Sequence, residues 1–190
     1  MMEIPHYPQD RAVLVNGKDG CSGDIYAVAE GVLAKVFKPD TPIWAEVNGL
    51  LQEARISLEL YVKCMSVPEP SGIFKVEIPG RGTYLAYLME NVGPEDNDPN
   101  WPRGVNTEIN RCEKLGFFST CPDVSGNYIY NAKRKKVILI DFQYWTAKPE
   151  RKFLFDQLHP NIEKVVRSEA SKLRFLKHQK GVNNNENRND

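Results

Sequence analysis

Short apolar runs broken by glycine turns open the chain. "RAVLV" (11–15), "DIYAVA" (24–29) and "VLAKVFK" (32–38) are rich in Val, Ile and Ala and are separated by "NGKDGCSG" and "EG", a pattern that predicts three antiparallel strands. The period then changes. Ile43, Val47, Leu50, Leu51, Ala54, Leu58, Tyr61 and Val62 recur at helical spacing, which predicts one long amphipathic helix. "DTP" (40–42) supplies N-cap candidates and a proline at its start, and the helix should end before "PEPSG". "IFKVEI" and "TYLAYLMENV" flank "PGRG" (79–82) and read as a hairpin.

The texture changes again over "GPEDNDPNWPRG" (93–104), where Pro, Gly and turn formers mark a linker or lobe boundary. A shorter helix is predicted over "NTEINRCEKLGFF" (106–118), followed by a second hairpin, "NYIYN" and "KVILID", turning at "AKRK" (132–135). "NIEKVVRSEASKLRFLK" (161–177) places Ile162, Val165, Val166, Leu173 and Leu176 broadly on one side of a last helix. The polar tail 181–190 is expected to be disordered. No internal repeat is present. The pattern thus predicts an α+β fold: a sheet-rich first half with one long helix, then a smaller, mainly helical half with a hairpin at its front.

Composition narrows the function classes by exclusion. A chain of 190 residues suits one domain or a small two-lobed one. Its 25 basic and 25 acidic residues cancel, so net charge points to neither nucleic acid nor an anionic membrane surface. Cys21, Cys64, Cys112 and Cys121 show no zinc-ligand spacing and are expected to be reduced thiols. No apolar run reaches membrane-spanning length, and "MMEIPHYPQD" lacks the basic and hydrophobic regions of a cleaved signal. Export, if it occurs, is expected by a non-classical route.

The candidate chemistry begins with a charge at the end of the most hydrophobic strand. "VILIDFQYW" (137–145) runs into Asp141, and a buried carboxylate needs a partner. Asn127 lies at the other end of the same hairpin. Two such oxygen ligands suit a hard divalent cation such as magnesium, which accepts few protein ligands, with Asp123 beside them as proton acceptor. Upstream, Lys35 should share one face of its strand with Leu33 and Phe37, while Ala34 and Val36 take the other. Glu53, close to the apolar stripe of the long helix, could reach Lys35 as an ion pair. The glycines at 20 and 23 would let backbone amides approach phosphates. Each signal also has a plainer reading: hairpins use glycine for conformation alone, and a strand lysine is commonly solvated.

In order, these parts resemble the protein kinase family: a glycine-rich loop, a strand lysine, a helix glutamate, a hinge, a loop with Asp and Asn, then Asp-Phe-Gly. "GCSGDIYAVAEGVLAKVFK" resembles the loop and lysine strand, "LLQEARISLEL" the glutamate helix, "YLAYLMENVG" the gatekeeper and hinge, and "PDVSGNYIYNAKRKKVILIDF" the catalytic loop and metal-binding aspartate. The resemblance covers about residues 12 to 145. It implies a bilobal kinase-like fold over 1–180, with an N-lobe of about 10–92 and a C-lobe of about 93–180. It also implies ATP and Mg2+ as cofactors. Lys35 would contact the α- and β-phosphates, oriented by Glu53. Gly20, Ser22 and Gly23 would cover the phosphates, and the backbone of Glu90 and Val92 would hold adenine. Asn127 and Asp141 would ligate the metal, and Asp123 would act as base.

The departures are informative. Lys18 stands where the loop's first glycine is usual, Cys121-Pro122 replace His-Arg before the catalytic aspartate, the Asp-to-Asn interval is one residue shorter, and Gln143 replaces the last glycine. No Ala-Pro-Glu motif follows, and the helices usual after it are reduced. Without that arginine, and with a short segment after Asp141, constitutive activity is expected. The stripped plan resembles minimal kinases that bacterial pathogens inject into host cells, among them the kind that phosphorylates the host's ninety-kilodalton heat-shock chaperone. It implies a monomer acting on a host protein.

Two readings from other classes stand beside it: a pseudokinase or nucleotide-binding interaction module, which the altered catalytic loop and Gln143 would suit, and a small-molecule phosphotransferase. A calcium loop in "DNDPNW", with Asp96, Asp98 and Asn100, fails because Trp101 occupies the required glycine position. "HPNI" (159–162) resembles a phrase that follows the family's glutamate helix but lies too late in the chain. "KRKK" (133–136) reads as a solvated turn, and Phe142, Tyr144 and Trp145 as packing between lobes.

Overall fold

A computed structural model describes residues 3–16, 23–93, 103–120 and 127–186, with side chains as far as Leu176. Five strands build the main sheet: β1 (Val13–Asn16), β2 (Gly23–Ala29), β3 (Val32–Phe37), β4 (Pro70–Ile78) and β5 (Gly82–Glu90). Their order is β1-β2-β3-β5-β4, with every neighbouring pair antiparallel. β3 is buried on both faces. Ala34 and Val36 join Tyr26, Val28, Val76, Ala86 and Leu88 on one side, while Phe37 joins Ile73, Leu85 and Tyr87 on the other. Gly23 is required by close approach of β2 to β3: a Cβ there would lie 2.8 Å from the Val36 carbonyl oxygen.

The long helix α1 (Ile43–Val62) covers the second face. Val47, Leu50, Leu51 and Ala54 pack on the sheet, whereas Ile56 and Leu60 enter a second core with Met65, Val67, Val137, Leu139 and Phe142. One helix therefore spans both cores, and Glu53 sits between them. Its N-cap is Pro42 and makes no side-chain cap bond, so neither Asp40 nor Thr41 serves in the capping role expected of them.

The second half contains α2 (Arg103–Lys114), β6 (Phe117–Ser119), β7 (Tyr128–Asn131), β8 (Lys136–Leu139), β9 (Trp145–Ala147), α3 (Leu154–Leu158) and α4 (Ile162–Glu186). β7 and β8 form the expected hairpin, and β6 pairs with β9. The helix expected over 106–118 instead occupies 103–114. Gly116 adopts φ +83° just past its end, the left-handed stop that glycine favours, and the fully buried Phe117 is thereby released into β6.

Two further expectations need correction. α4, expected in the second lobe, lies on the first: Ile162, Val166 and Ala170 share a core with Leu50, Leu51, Leu85 and Tyr87. Its apolar stripe finds uncovered sheet and helix surface there, which is worth more than exposure to water. Helical backbone also continues to Glu186, into the tail expected to be disordered, because a nucleated helix adds residues at small cost. The architecture is nonetheless the expected α+β one, with an antiparallel N-terminal sheet carrying one long helix and a smaller second half. No helix among the described residues is long and apolar enough to cross a membrane.

Residues before the expected start of the first lobe also contribute. The Tyr7 N–H donates to the Lys75 carbonyl and the Lys75 N–H to the Pro5 carbonyl, both at 2.9 Å, covering the otherwise open edge of β4. Lys75 in turn bridges to α4: its ammonium lies 2.9 Å from Glu169, which Lys172 meets at 2.7 Å. Bonds from Lys172 and Lys75 hold the Glu169 carboxyl below the ordinary value of 4.5. A lowered value contributes stability that is present above 4.5 and lost as pH falls through the folded-state value. Glu169→Gln is therefore expected to lower stability by about 1 kcal/mol at neutral pH. The difference in melting temperature from wild type should close as pH falls below 4.5; a gap that stays constant to low pH would refute the assignment.

Candidate active site

Lys35 lies in β3 opposite Ile25 of β2 and Tyr87 of β5 and is 4% exposed. Its ammonium meets two carboxylates, Glu53 Oε1 at 2.5 Å and Asp141 Oδ1 at 2.7 Å. Glu53 is buried, and its Oε2 accepts the Phe142 backbone N–H at 2.9 Å. One turn further along α1, the Ser57 hydroxyl donates to the Glu53 carbonyl and accepts the Tyr87 hydroxyl at 2.6 Å. Strand, helix and post-hairpin segment are thus tied through one lysine.

Asp141 reaches that lysine through an uncommon backbone conformation. The apolar residues of β8 are buried, the Leu139 N–H donates to the Ser66 carbonyl at 2.8 Å, and the Ile140 N–H to the Asn127 carbonyl at 2.9 Å. The next residue, Asp141, then takes φ +59°, a left-handed geometry that aspartate tolerates at a cost of about 1 kcal/mol. Phe142 follows into the second core, where its ring meets Trp145 edge-on at 5.6 Å. Among the described residues the partner of Asp141 is Lys35.

The electrostatics follow from one cation between two anions. Burial pushes the Lys35 ammonium down, but Glu53 and Asp141 outweigh it and hold the group above its ordinary value. Burial pushes the Glu53 carboxyl up, Lys35 opposes this, and Asp141 adds to the rise. The Asp141 side chain is 31% exposed, and its second oxygen has no partner among the described residues, leaving a place for a further cation on the solvent side.

The other predicted residues are distributed unevenly. The backbone pairing of Asn127 with Ile140 brings Asn127 beside Asp141 at the end of the hairpin. Gly23 begins β2 next to Phe37. Gly20, Ser22 and Asp123 lie outside the described residues. At the hinge, the Glu90 N–H is already given to the Glu69 carbonyl at 2.9 Å, and the Val92 carbonyl accepts Asn131 Nδ2. The Glu90 carboxylate is bound by Arg134. Asn131 and Arg134 were not singled out from the sequence. Arg134 belongs to the basic turn expected to be solvated, and only its proximity to the hinge shows its role in fastening β7–β8 to β5.

Beside the trio runs a groove of about 790 Å³ between the end of β3, the first half of α1 and Gln143–Tyr144. Trp44 and Tyr144 flank it, 64% and 47% exposed. The segment behind it is anchored. The Tyr144 carbonyl accepts the Thr120 N–H at 2.7 Å and the Thr120 hydroxyl at 2.5 Å, and the Trp145 carbonyl accepts Gln52 Nε2 from α1.

No family model matches the chain, and no curated protein matches it in sequence. Among solved structures it is similar to the Rio2 kinase of Chaetomium thermophilum, determined as an ADP/Mg2+-phosphoaspartate complex, with 18% identity, a TM-score of 0.49, and coverage of 85% of this chain and 53% of that one. It is also similar to the Legionella pneumophila Lpg2603 kinase bound to IP6 (14% identity, TM-score 0.45, 84% of this chain and 58% of that one). A third likeness is to the bifunctional kinase-methyltransferase WbdD (15% identity, TM-score 0.43, 85% of this chain and 39% of that one). The chain spans between 39% and 58% of the length of these three proteins. What the site can do is decided by its own residues.

Proposed function

We propose that this chain is a protein kinase that uses ATP and Mg2+ to transfer the γ-phosphate to a serine or threonine hydroxyl of another protein. The observation that carries this reading is the buried Lys35 ammonium held between Glu53 and Asp141. An ammonium so oriented, with one carboxylate partly open to solvent, suits a triphosphate and its counter-cation. Lys35 would lie on the α- and β-phosphates while Glu53 keeps it aimed. The loop of Gly20, Ser22 and Gly23 would cover the phosphates, and backbone groups of Glu90 and Val92 would hold adenine. The acceptor oxygen attacks the γ-phosphorus, the bond to the bridging oxygen of ADP breaks, and the hydroxyl proton passes to Asp123.

Asn127 and Asp141 would hold Mg2+, which when bound offsets charge on the transferred phosphoryl group. No group of three His, Cys, Asp or Glu residues among the described ones could cage a metal. A magnesium site completed by substrate phosphates needs only one or two protein oxygens, so the residues fit. The open groove beside Trp44 and Tyr144 suits a polypeptide acceptor. The proposed setting is a bacterial effector, monomeric and exported by a non-classical route, acting on a host protein such as a chaperone.

The test is incubation with labelled ATP, magnesium and a host-cell lysate, comparing wild type with Asp141→Ala. Label on phosphoserine or phosphothreonine with wild type alone is the expected result. Equal labelling from both proteins would sink the proposal, and no labelling from either, with nucleotide still raising the wild-type melting temperature, would replace it with a nucleotide-binding module.

A further inference from the structure

α1 is held in place by residues that the reaction itself does not use. On one side, the Arg55 Nε–H is shared between the two carboxylate oxygens of Asp156 in α3, each at 2.9 Å, and Arg55 Nη2 lies 3.6 Å from Glu163 of α4. Glu59, one turn along, accepts the Leu154 N–H at 2.7 Å and pairs with Arg151 at 3.3 Å. On the other side, Arg174 of α4 pairs with Glu46 in the first turn of α1 at 2.9 Å and donates to the Thr41 carbonyl. Glu46 and Glu53 stand two turns apart on the same stripe of the helix. A shift of α1 that drew Glu53 from Lys35 would have to break these ties together.

We propose that Asp156 and Arg174 are positioning residues: the returning helices α3 and α4 clamp α1 from two sides and keep Glu53 seated on Lys35 without any modification of the segment after Asp141. The polar ties do what apolar contact alone does poorly, because apolar packing permits small slides whereas charge-assisted hydrogen bonds are short and directional. The segment after Asp141 does not supply this control, since Thr120 and Gln52 already anchor it. This inference rests on the kinase reading for its effect on rate, but its structural part stands apart from it.

The experiment compares wild type, Asp156→Asn/Arg174→Gln, and the charge-keeping Asp156→Glu/Arg174→Lys, each labelled with 5-fluorotryptophan. Transfer of label from ATP, with magnesium, to the protein of a fixed amount of host-cell lysate gives an apparent kcat and the KM for ATP below the melting transition, with Lys35→Met as the zero. Fluorine NMR of Trp44, assigned by Trp44→Phe, reports the position of α1. Breaking both ties is expected to lower kcat by about 100-fold with little change in the KM for ATP, and to split or broaden the Trp44 signal. The charge-keeping variant should recover most of both. An unchanged rate, or an unchanged Trp44 signal, overturns the proposal. If wild type itself transfers no label, the kinase reading falls and the Trp44 signal alone decides the clamp. If the double variant does not fold, Arg174→Gln alone is read in the same way.

Discussion

Lys35→Met is expected to abolish phosphoryl transfer and to cost about 3–5 kcal/mol of stability, because it strands a buried carboxylate. Adding Glu53→Gln is expected to return most of the stability and none of the activity. The reasoning starts from unequal burial. Asp141 is 31% exposed and can be rehydrated when the lysine is lost. Glu53 is 1% exposed and would keep only the Phe142 N–H as a donor. Burial and Asp141 already push its carboxyl up, and Lys35 is the group that opposes them. A raised value contributes stability fully below the ordinary 4.5 and loses it as pH rises through the folded-state value. The stability gap between Lys35→Met and wild type should therefore widen as pH rises above the wild-type folded-state value of Glu53, which itself lies above 4.5, and the double variant should lack that pH dependence. Denaturant unfolding across pH measures this directly; a gap independent of pH would show that Glu53 is not the stranded group.

Gly49→Val is expected to lower stability by about 3 kcal/mol, although glycine in a helix interior is ordinarily the weaker choice by about 1 kcal/mol. A Cβ at Gly49 would lie 2.2 Å from the Phe37 ring. Phe37 is 5% exposed and packed between sheet and helix, so either the ring or α1 must move. The steric term outweighs the gain in propensity. Because Gly49 precedes Glu53 by one turn, movement of the helix also withdraws the carboxylate from Lys35, and activity should fall with stability. A double-mutant cycle with Phe37→Ala decides the cause: the pair should be less destabilised than the sum of the singles by about 1–2 kcal/mol. Strict additivity would place the damage elsewhere.

Much of the fold was legible along the chain because hydrophobic period is local. The strands from β1 to β5, the bounds of α1 and the β7–β8 hairpin each follow from residues adjacent in sequence. Where local signals compete, the local pattern no longer decides the element. Gly116 ended α2 and turned Leu115–Phe118 away from the helix that their hydrophobicity suggested, and the polar cap candidates before α1 gave way to Pro42. The site was partly legible for a different reason: few residue types can bind phosphate or a hard cation, so Lys35, Glu53, Asn127 and Asp141 stand out wherever they interrupt apolar runs.

What the sequence by itself determined is therefore the set of elements and the identity of the charged residues that interrupt them. How those charges are shared was decided only by the tertiary structure. Lys35 and Asp141 are 106 positions apart, and Glu53 and Phe142 are 89 apart; no local pattern says that one lysine will serve two carboxylates or that Asp141 will turn left-handed to reach it. The return of α4 to the first lobe, the fastening of the hinge by Asn131 and Arg134, and the contact of Gly49 with Phe37 are of the same kind. Each depends on which apolar faces finally cover one another, and the polar residues at their margins then pair with whatever that packing brings within reach.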